Sequence, residues 1–362
     1  MTDILTTGDL IARRSVDVLR QGQAASGAFV ASPNFPTYRY AWLRDGAFCA
    51  HALDLVGEST ASDAFHSFVA RSIEAHRSMI ETAIAKVAAG ETPQPEQMPP
   101  ARYTLDGSLE QPDGEPWPNF QVDGYGMWLW ALAQHLTTPP SAELRSTVEL
   151  VARYMQASWQ LKSFSCWEEF DDGEHASTLG AIVAGLDAAA ALLLDPQWAD
   201  EADRVRGNLL GRFVSGGRLA RGPADPRLDG SLLWLGVPFG VLPLGDPILE
   251  ATVDGIRREL LRPGGGVYRY LGDTYYGGGE WILLACSLGW HEARAGNADA
   301  IPPLREWVRA QARPNGDLPE QVTDHALEPD MTAPWVARWG PVATPLLWSH
   351  AMYLIMEHAA AA

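Results

Sequence analysis

Two kinds of helical segment alternate along this chain, six times over. One kind is amphipathic with arginines on its polar side: Leu10–Gln21, Asp63–Val87, Ala142–Trp159, Trp198–Phe213, Pro247–Leu261 and Pro303–Arg313. The other is apolar nearly all round: "GAFCAHALDLV", "GYGMWLWALAQHL", "TLGAIVAGLDAAAALLL", "SLLWLGVPFGVL", "EWILLACSLGW" and "SHAMYLIMEHA". An amphipathic helix lies on a surface, whereas a helix with no polar face must be enclosed. Little of the chain alternates at the period of a strand. Six enclosed helices, each preceded by a solvent-facing one, predict an all-α (α/α)6 barrel with an inner ring inside an outer ring. No shift of composition interrupts the pattern, so residues 1–362 are expected to form a single domain. The stretch "AGETPQPEQMPP" at 89–100 reads as a long surface loop.

Each apolar segment has a polar, aromatic-rich entrance: "YRYAWLRDG", "WPNFQVDG", "CWEEFDDG", "RGPADPRLDG", "YRYLGDTYYGGGEW" and "ARWGPVATPLLWSH". Four of them end in Asp-Gly. A carboxylate at a helix start accepts from the free N–H groups and suits the positive end of the dipole, so capping is the expected role of Asp45, Asp123, Asp172 and Asp229. Capping leaves the neighbouring Trp, Tyr, Arg and Glu residues without a purpose. If the inner helices run parallel, all six entrances meet in one pit at their N-terminal ends.

The formal charge of −18 argues against nucleic acid or an anionic membrane surface as partner, while a neutral ligand is indifferent to it. Cys49, Cys166 and Cys286 are too far apart for a ligand cluster and read as reduced thiols of a cytoplasmic protein. No apolar run is expected to span a membrane, and "MTDILTTGDLIARRSVDVLRQ" has no export-signal pattern. No metal-ligand spacing, GxGxxG or P-loop occurs, so no metal or cofactor is expected.

The carboxylates carry the chemistry. "CWEEF" supplies Glu168 and Glu169, and "LPEQ" supplies Glu320. Two carboxylates brought to one pit from distant segments suit glycosidic cleavage: one protonates the leaving oxygen, the other activates water or attacks. Beside Trp167 and a second carboxylate, the Glu-Glu pair is expected to hold the acid and the isolated Glu320 to be the base. Trp rings cover the apolar faces of sugars, and Arg44-Asp45 can grip adjacent hydroxyls as donor and acceptor.

Five ordered segments, "YRYAWLRD", "WPNFQVDG", "WEE", "RYLGDTYYGGGEW" and "LPEQ" followed by "LLWSHA", resemble glycoside hydrolase family 15, the glucoamylase, glucodextranase and trehalase family. The resemblance spans nearly the whole chain and implies an (α/α)6 barrel of inverting exo-glucosidases releasing β-glucose. It implies Glu168 as general acid and Glu320 as general base, with Tyr38 holding the nucleophilic water. It further implies Glu169 near the +1 side, Arg44 and Asp45 on hydroxyls of the terminal glucose, Trp117 over the acid, Arg269 near the first two subsites and Trp348 in the pocket of the non-reducing end. Trp42, Trp167 and Gln121 are expected to complete the sugar site. Neither the β-sandwich nor the starch-binding domain common in the family is recognisable, so a short disaccharide or oligosaccharide is the expected ligand. An α-1,6 linkage such as that of isomaltose is favoured. Trehalose, an α-1,4 glucoside, and a catalytically dead sugar-binding barrel are the alternatives. "NFQ" at Asn119–Gln121 and the loop at 221–229 are candidates for the +1 wall. Trp335 and Trp339 are divided between that wall and loop packing. Trp128 and Trp130 are expected in the core, and His51, His175 and His350 as structural histidines.

Overall fold

The computed structural model describes residues 9–111, 117–170 and 173–362. Its helices, in chain order, are α1 Leu10–Gln21, α2 Leu43–Leu55, α3 Ser59–Ala75, α4 Arg77–Ala88, α5 Asp123–His135, α6 Ala142–Ser158, α7 Ala176–Leu193, α8 Gln197–Arg212, α9 Pro247–Glu259, α10 Ile282–Ala295, α11 Ile301–Gln311, α12 Thr332–Trp339 and α13 Leu347–Ala361. The inner ring closes through consecutive contacts: α2 packs on α5, α5 on α7, α7 on the short 3-10 helix Gly230–Leu235, that helix on α10, α10 on α13, and α13 back on α2. The amphipathic helices lie outside, with α1 against α13, α3 against α2, α6 and α8 against α7, and α11 against α10. This is the (α/α)6 barrel.

Close approach in the ring depends on glycine. A Cβ on Gly126 of α5 would come within 2.2 Å of the Ala181 carbonyl oxygen, and one on Gly185 of α7 within 2.5 Å of the Gly126 Cα. Any side chain at either position would push α5 and α7 apart.

Four details differ from the sequence reading. The fourth inner segment, "SLLWLGVPFGVL", forms only the six-residue 3-10 helix, because Pro238 has no N–H to continue a helix. It is buried all the same, so its apolar pattern signalled position in the ring rather than helix length. The outer segment at 63–87 divides into α3 and α4 at His76, whose φ of −112° and ψ of 17° leave the helical region. An unforeseen helix, α12, precedes the last entrance and runs into its first three residues, and it has no fully buried residue. Ala176–Leu193, at 18 residues and mean hydropathy 1.7, is long and apolar enough to span a membrane, contrary to expectation. In the barrel 83% of it is buried inside the protein, as a central α7 requires.

Short antiparallel pairs tie the entrances together. Trp42 pairs with Arg102, Glu280 with Val322, and Trp281 with Gln321. The second and third of these pairs set Glu320 immediately beside the entrance to α10.

Candidate active site

A pit of about 250 Å³ opens where the entrances meet. Its wall includes Tyr38 and Trp42 before α2, Arg44 and Asp45 in the first turn of α2, Trp117 before α5, and Trp167, Glu168 and Glu169 before α7. Arg269 and Trp281 come from before α10, Glu320 from the loop after α11, and Trp348 from the first turn of α13. Every wall residue on or next to an inner helix lies at its N-terminal end, so the inner helices point the same way. All the anticipated site residues line the pit except Gln121.

Glu168 sits on a strained turn. Its φ is +65° and that of Phe170 is +61°, a left-handed conformation that costs a non-glycine residue on the order of 1–3 kcal/mol. Backbone bonds from Glu168 N to Ser165 O and from Ser165 N to Glu169 O hold the turn, each at 2.8 Å. The turn separates the adjacent carboxylates. Glu169 accepts from Arg269 at 3.2 Å and from the Tyr270 hydroxyl at 2.5 Å, and caps no helix. Glu168 Oε1 accepts from Trp42 Nε1 at 2.6 Å, Trp117 Nε1 at 3.1 Å and Gln121 Nε2 at 3.2 Å, with Arg44 Nη2 at 3.7 Å. Oε2 has no hydrogen-bond partner among the described residues. Every neighbour of Oε1 is a donor, so a proton on Glu168 must sit on Oε2.

Gln121 serves that arrangement from behind. It is fully buried, accepts from Arg44 Nη1 at 2.8 Å and donates to the Pro118 carbonyl at 2.6 Å as well as to Glu168. It lies behind the wall and does not line the pit. Asn119 and Phe120 are also outside the wall: Asn119 donates to Glu110 at 3.1 Å, and Phe120 is in the core. The loop at 221–229 contributes only indirectly, through Asp229, which accepts from Trp167 Nε1 at 2.9 and 3.0 Å.

Glu320 is held from three sides. Its N–H donates to Ala343 O at 3.0 Å, and its carbonyl accepts from Ile282 N at 3.3 Å. Just upstream, His350 Nε2 accepts from Leu318 N at 2.9 Å and Ser349 donates to Pro319 O at 2.8 Å. The His350 ring thus has a structural role, as do those of His175, bonded to the Ser163 and Phe170 carbonyls, and His51, packed between Trp130 and Trp290. Trp128 and Trp130 lie in the core.

The Glu320 carboxylate accepts from the Tyr38 hydroxyl through Oε1 at 3.1 Å, while Oε2 is buried and unpartnered among the described residues. Burial pushes its pKa up to about 8; the Tyr38 hydrogen bond and the Arg269 charge oppose the rise, and Asp45 and Glu168 add to it. The turn points the Glu-Glu pair at separate donors, while Glu320, isolated in the sequence and expected to be the base, is desolvated. This still suits a base, because a pKa near the working pH leaves it partly ionised and strong enough to take a proton. Burial likewise pushes Asp45 up to about 7, against the pull of Arg44.

The Asp-Gly pairs divide their roles. Asp229 caps, accepting from Ser231 N at 2.8 Å. Asp123 does not; it pairs with Arg44 Nη1 at 2.9 Å. The cap position of α2 is Trp42, whose side chain makes no capping bond, and Asp45 faces the pit. Asp172 lies outside the described residues.

Other aromatic groups complete the wall. The Tyr275 hydroxyl lies 2.8 Å from that of Tyr38 and extends the chain that ends on Glu320. Trp335 and Trp339 of α12 both face the pit, which settles them as wall. The buried indole N–H groups of Trp281, Trp335 and Trp348 have no hydrogen-bond partner among the described residues, nor has Arg44 Nε, which only pairs with Asp45 at 3.9 Å. Unpaired donors around an enclosed space are what a polyhydroxylated ligand would satisfy. Arg102, fully behind the wall, lies 3.8 Å from the Trp117 ring centroid and 4.1 Å from that of Tyr40, with its head bonded to Glu110.

Removing the Tyr38 hydroxyl should move the pH profile. Its donation stabilises ionised Glu320, so Tyr38→Phe raises the Glu320 pKa further. A base must be ionised to act, so with Glu320 in that role the acid limb of kcat/KM moves to higher pH and the loss of activity is largest on the acidic side. Rates measured across pH check this. An unshifted limb would separate Tyr38 from Glu320.

Known proteins resemble this chain in sequence and fold. The family model for Glycosyl hydrolases family 15 matches residues 9–292. The isomaltose glucohydrolase of Kribbella flavida is 42% identical over 357 residues, covering 96% of this chain and 91% of that protein. A solved wild-type glycosidase superposes with a TM-score of 0.91 at 39% identity, covering 97% of this chain and 96% of that one. A bacterial glucoamylase complexed with acarbose shares the fold, with a TM-score of 0.75 at 20% identity, covering 99% of this chain and 56% of that one. The chain belongs to glycosyl hydrolase family 15.

Proposed function

We propose that the protein is an inverting exo-α-glucosidase that removes glucose from the non-reducing end of short α-1,6 glucosides, isomaltose first among them, and releases β-D-glucose. One observation carries the mechanism. Glu168 and Glu320 both contribute to the wall of one pit, each tied through Oε1 and each with Oε2 free of hydrogen-bond partners among the described residues. Glu168, its Oε1 saturated with donors, delivers a proton from Oε2 to the leaving oxygen. Glu320 Oε2 takes a proton from the attacking water, which the hydroxyls of Tyr38 and Tyr275 help to orient. Two carboxylates acting on opposite faces of the sugar invert the anomeric centre. Arg44, Asp45 and Trp348 bind the terminal glucose, while Trp117, Glu169, Arg269 and the α12 tryptophans meet the second sugar. The α-1,6 preference is supported by the isomaltose glucohydrolase at 42% identity over nearly the full length. The three buried, unpaired thiols support a cytoplasmic location, which fractionation of the native cells would test.

Proton NMR during hydrolysis is expected to show β-glucose before mutarotation, and initial α-glucose would exclude inversion. Initial rates on isomaltose, maltose, nigerose and trehalose at equal concentration test linkage. Isomaltose is expected to be fastest; trehalose in that place would make the enzyme a trehalase.

A further inference from the structure

The far ends of the inner helices hold a cluster that the pit does not use. Asp54 lies one residue before the end of α2, His135 is the last residue of α5, and His66 belongs to α3. One donor atom from each of the three lies within 4.8 Å of the others. Along α2 the cluster is ten residues from Arg44, about 15 Å at the rise of a helix, so it stands apart from the sugar site.

His66 requires a partner. It is 4% exposed and neither ring nitrogen has a hydrogen bond among the described residues. Its ring centroid is 4.9 Å from that of His135. A buried polar group without a partner costs about 1–3 kcal/mol, and no described side chain relieves it.

His135 is already oriented for a metal. Nδ1 faces the Asp54 carboxylate at 3.0 and 3.1 Å, and Nε2 reaches Asp63 Oδ1 at 2.9 Å. A metal-binding imidazole uses one nitrogen on the ion and donates its other N–H to a carboxylate that fixes the ring. Asp63 stands where that carboxylate belongs. The cluster also lies at the C-terminal ends of α2 and α5, where helix dipoles favour a cation. A protonated His135 is the rival occupant. It would spend both N–H groups on Asp54 and Asp63 and leave His66 unpartnered, whereas a metal accounts for all three side chains.

We propose that Asp54, His66 and His135 bind a divalent transition-metal ion of the zinc class, with Asp63 orienting His135 and water completing a tetrahedral shell. Two imidazoles and one carboxylate are a zinc donor set; magnesium or calcium would require mostly oxygen. The Asp54 side chain is 17% exposed and that of Asp63 70%, so the ion reaches the site from solvent. The ion joins two inner helices to an outer one and takes no part in hydrolysis. The ligands come from three helices and are widely separated in sequence, which is why a search for local ligand spacing missed them.

The test uses tag-free, chelator-treated protein titrated with Zn²⁺ alone, reading stoichiometry by calorimetry and stability by thermal unfolding. Co²⁺ serves as a second probe through its tetrahedral absorption bands. About one equivalent of Zn²⁺ is expected to bind with a rise in Tm. His66→Ala and the near-isosteric Asp54→Asn should lose the stoichiometric binding, while keeping the wild-type circular dichroism and kcat. Asp63→Asn should keep the stoichiometry and weaken affinity by about 10–100-fold. Absence of saturable binding to the wild type, or binding that both His66→Ala and Asp54→Asn leave intact, overturns the proposal.

Discussion

Replacing Glu320 with Gln is expected to lower kcat on isomaltose by about 10²–10⁴-fold, the range associated with loss of a general base. The change is nearly isosteric, and the amide oxygen can still accept the Tyr38 hydroxyl that reaches Oε1 at 3.1 Å. Only the capacity to take a proton is lost. The deficit should therefore fall on kcat, with KM little changed, because Glu320 is assigned to water and not to the sugar. A second consequence follows from burial. The folded protein raises the Glu320 pKa from the ordinary glutamate range to about 8, so ionising it costs folding stability. That stability is fully present at low pH and is lost progressively as pH rises from the ordinary range through about 8. The Gln variant escapes the loss. Its Tm should exceed that of the wild type, by a margin that widens across this window and levels above it. Steady-state kinetics and thermal unfolding on the same preparations check both. Near-normal turnover would remove Glu320 from the base position, and equal Tm values at all pH would remove the burial argument.

The ring was legible because enclosure on all sides leaves a strong mark on a sequence. α2, α5, α7, α10 and α13 have scarcely a polar face, and the segments before them alternate as surface helices must. The same mark is silent on length. "SLLWLGVPFGVL" is as apolar as its neighbours, yet Pro238 stops it after a 3-10 turn. The chemistry was legible at the level of residue type, since few uses other than sugar cleavage call for paired carboxylates among tryptophans in one pit. What each group bonds to was not. Trp167 gives its N–H to Asp229, 62 residues away, and Glu169 turns to Arg269, 100 residues away. Such pairings are set by how the entrances fold over one another, for which adjacency in sequence is a poor guide. Within the Glu-Glu pair, likewise, the left-handed φ at Glu168 directs the neighbours to different partners.

Loss of the acid should be conditional where loss of the base is not. Glu168→Gln is expected to lower kcat on isomaltose by about 10²–10⁴-fold, because a sugar alkoxide leaves poorly without a proton. The Gln side chain can present its oxygen to Trp42, Trp117 and Gln121, which all donate to Oε1 in the wild type. Its –NH₂ then occupies the place of the Oε2 that carries the proton. The wall around the sugar survives, and one proton transfer is lost. A substrate whose leaving group needs no proton, such as α-glucosyl fluoride, should recover most of the rate with Glu168→Gln. Glu320→Gln should stay impaired on the same substrate, because water must still be activated. Recovery of about three decades would correspond to roughly 4 kcal/mol of barrier that protonation supplies and fluoride does not require. The crossed comparison of two variants on two substrates assigns the roles without reference to either pKa. If Glu320→Gln were the variant rescued by fluoride, acid and base would have to be exchanged. If neither were rescued, Glu168 would act in binding rather than in proton transfer.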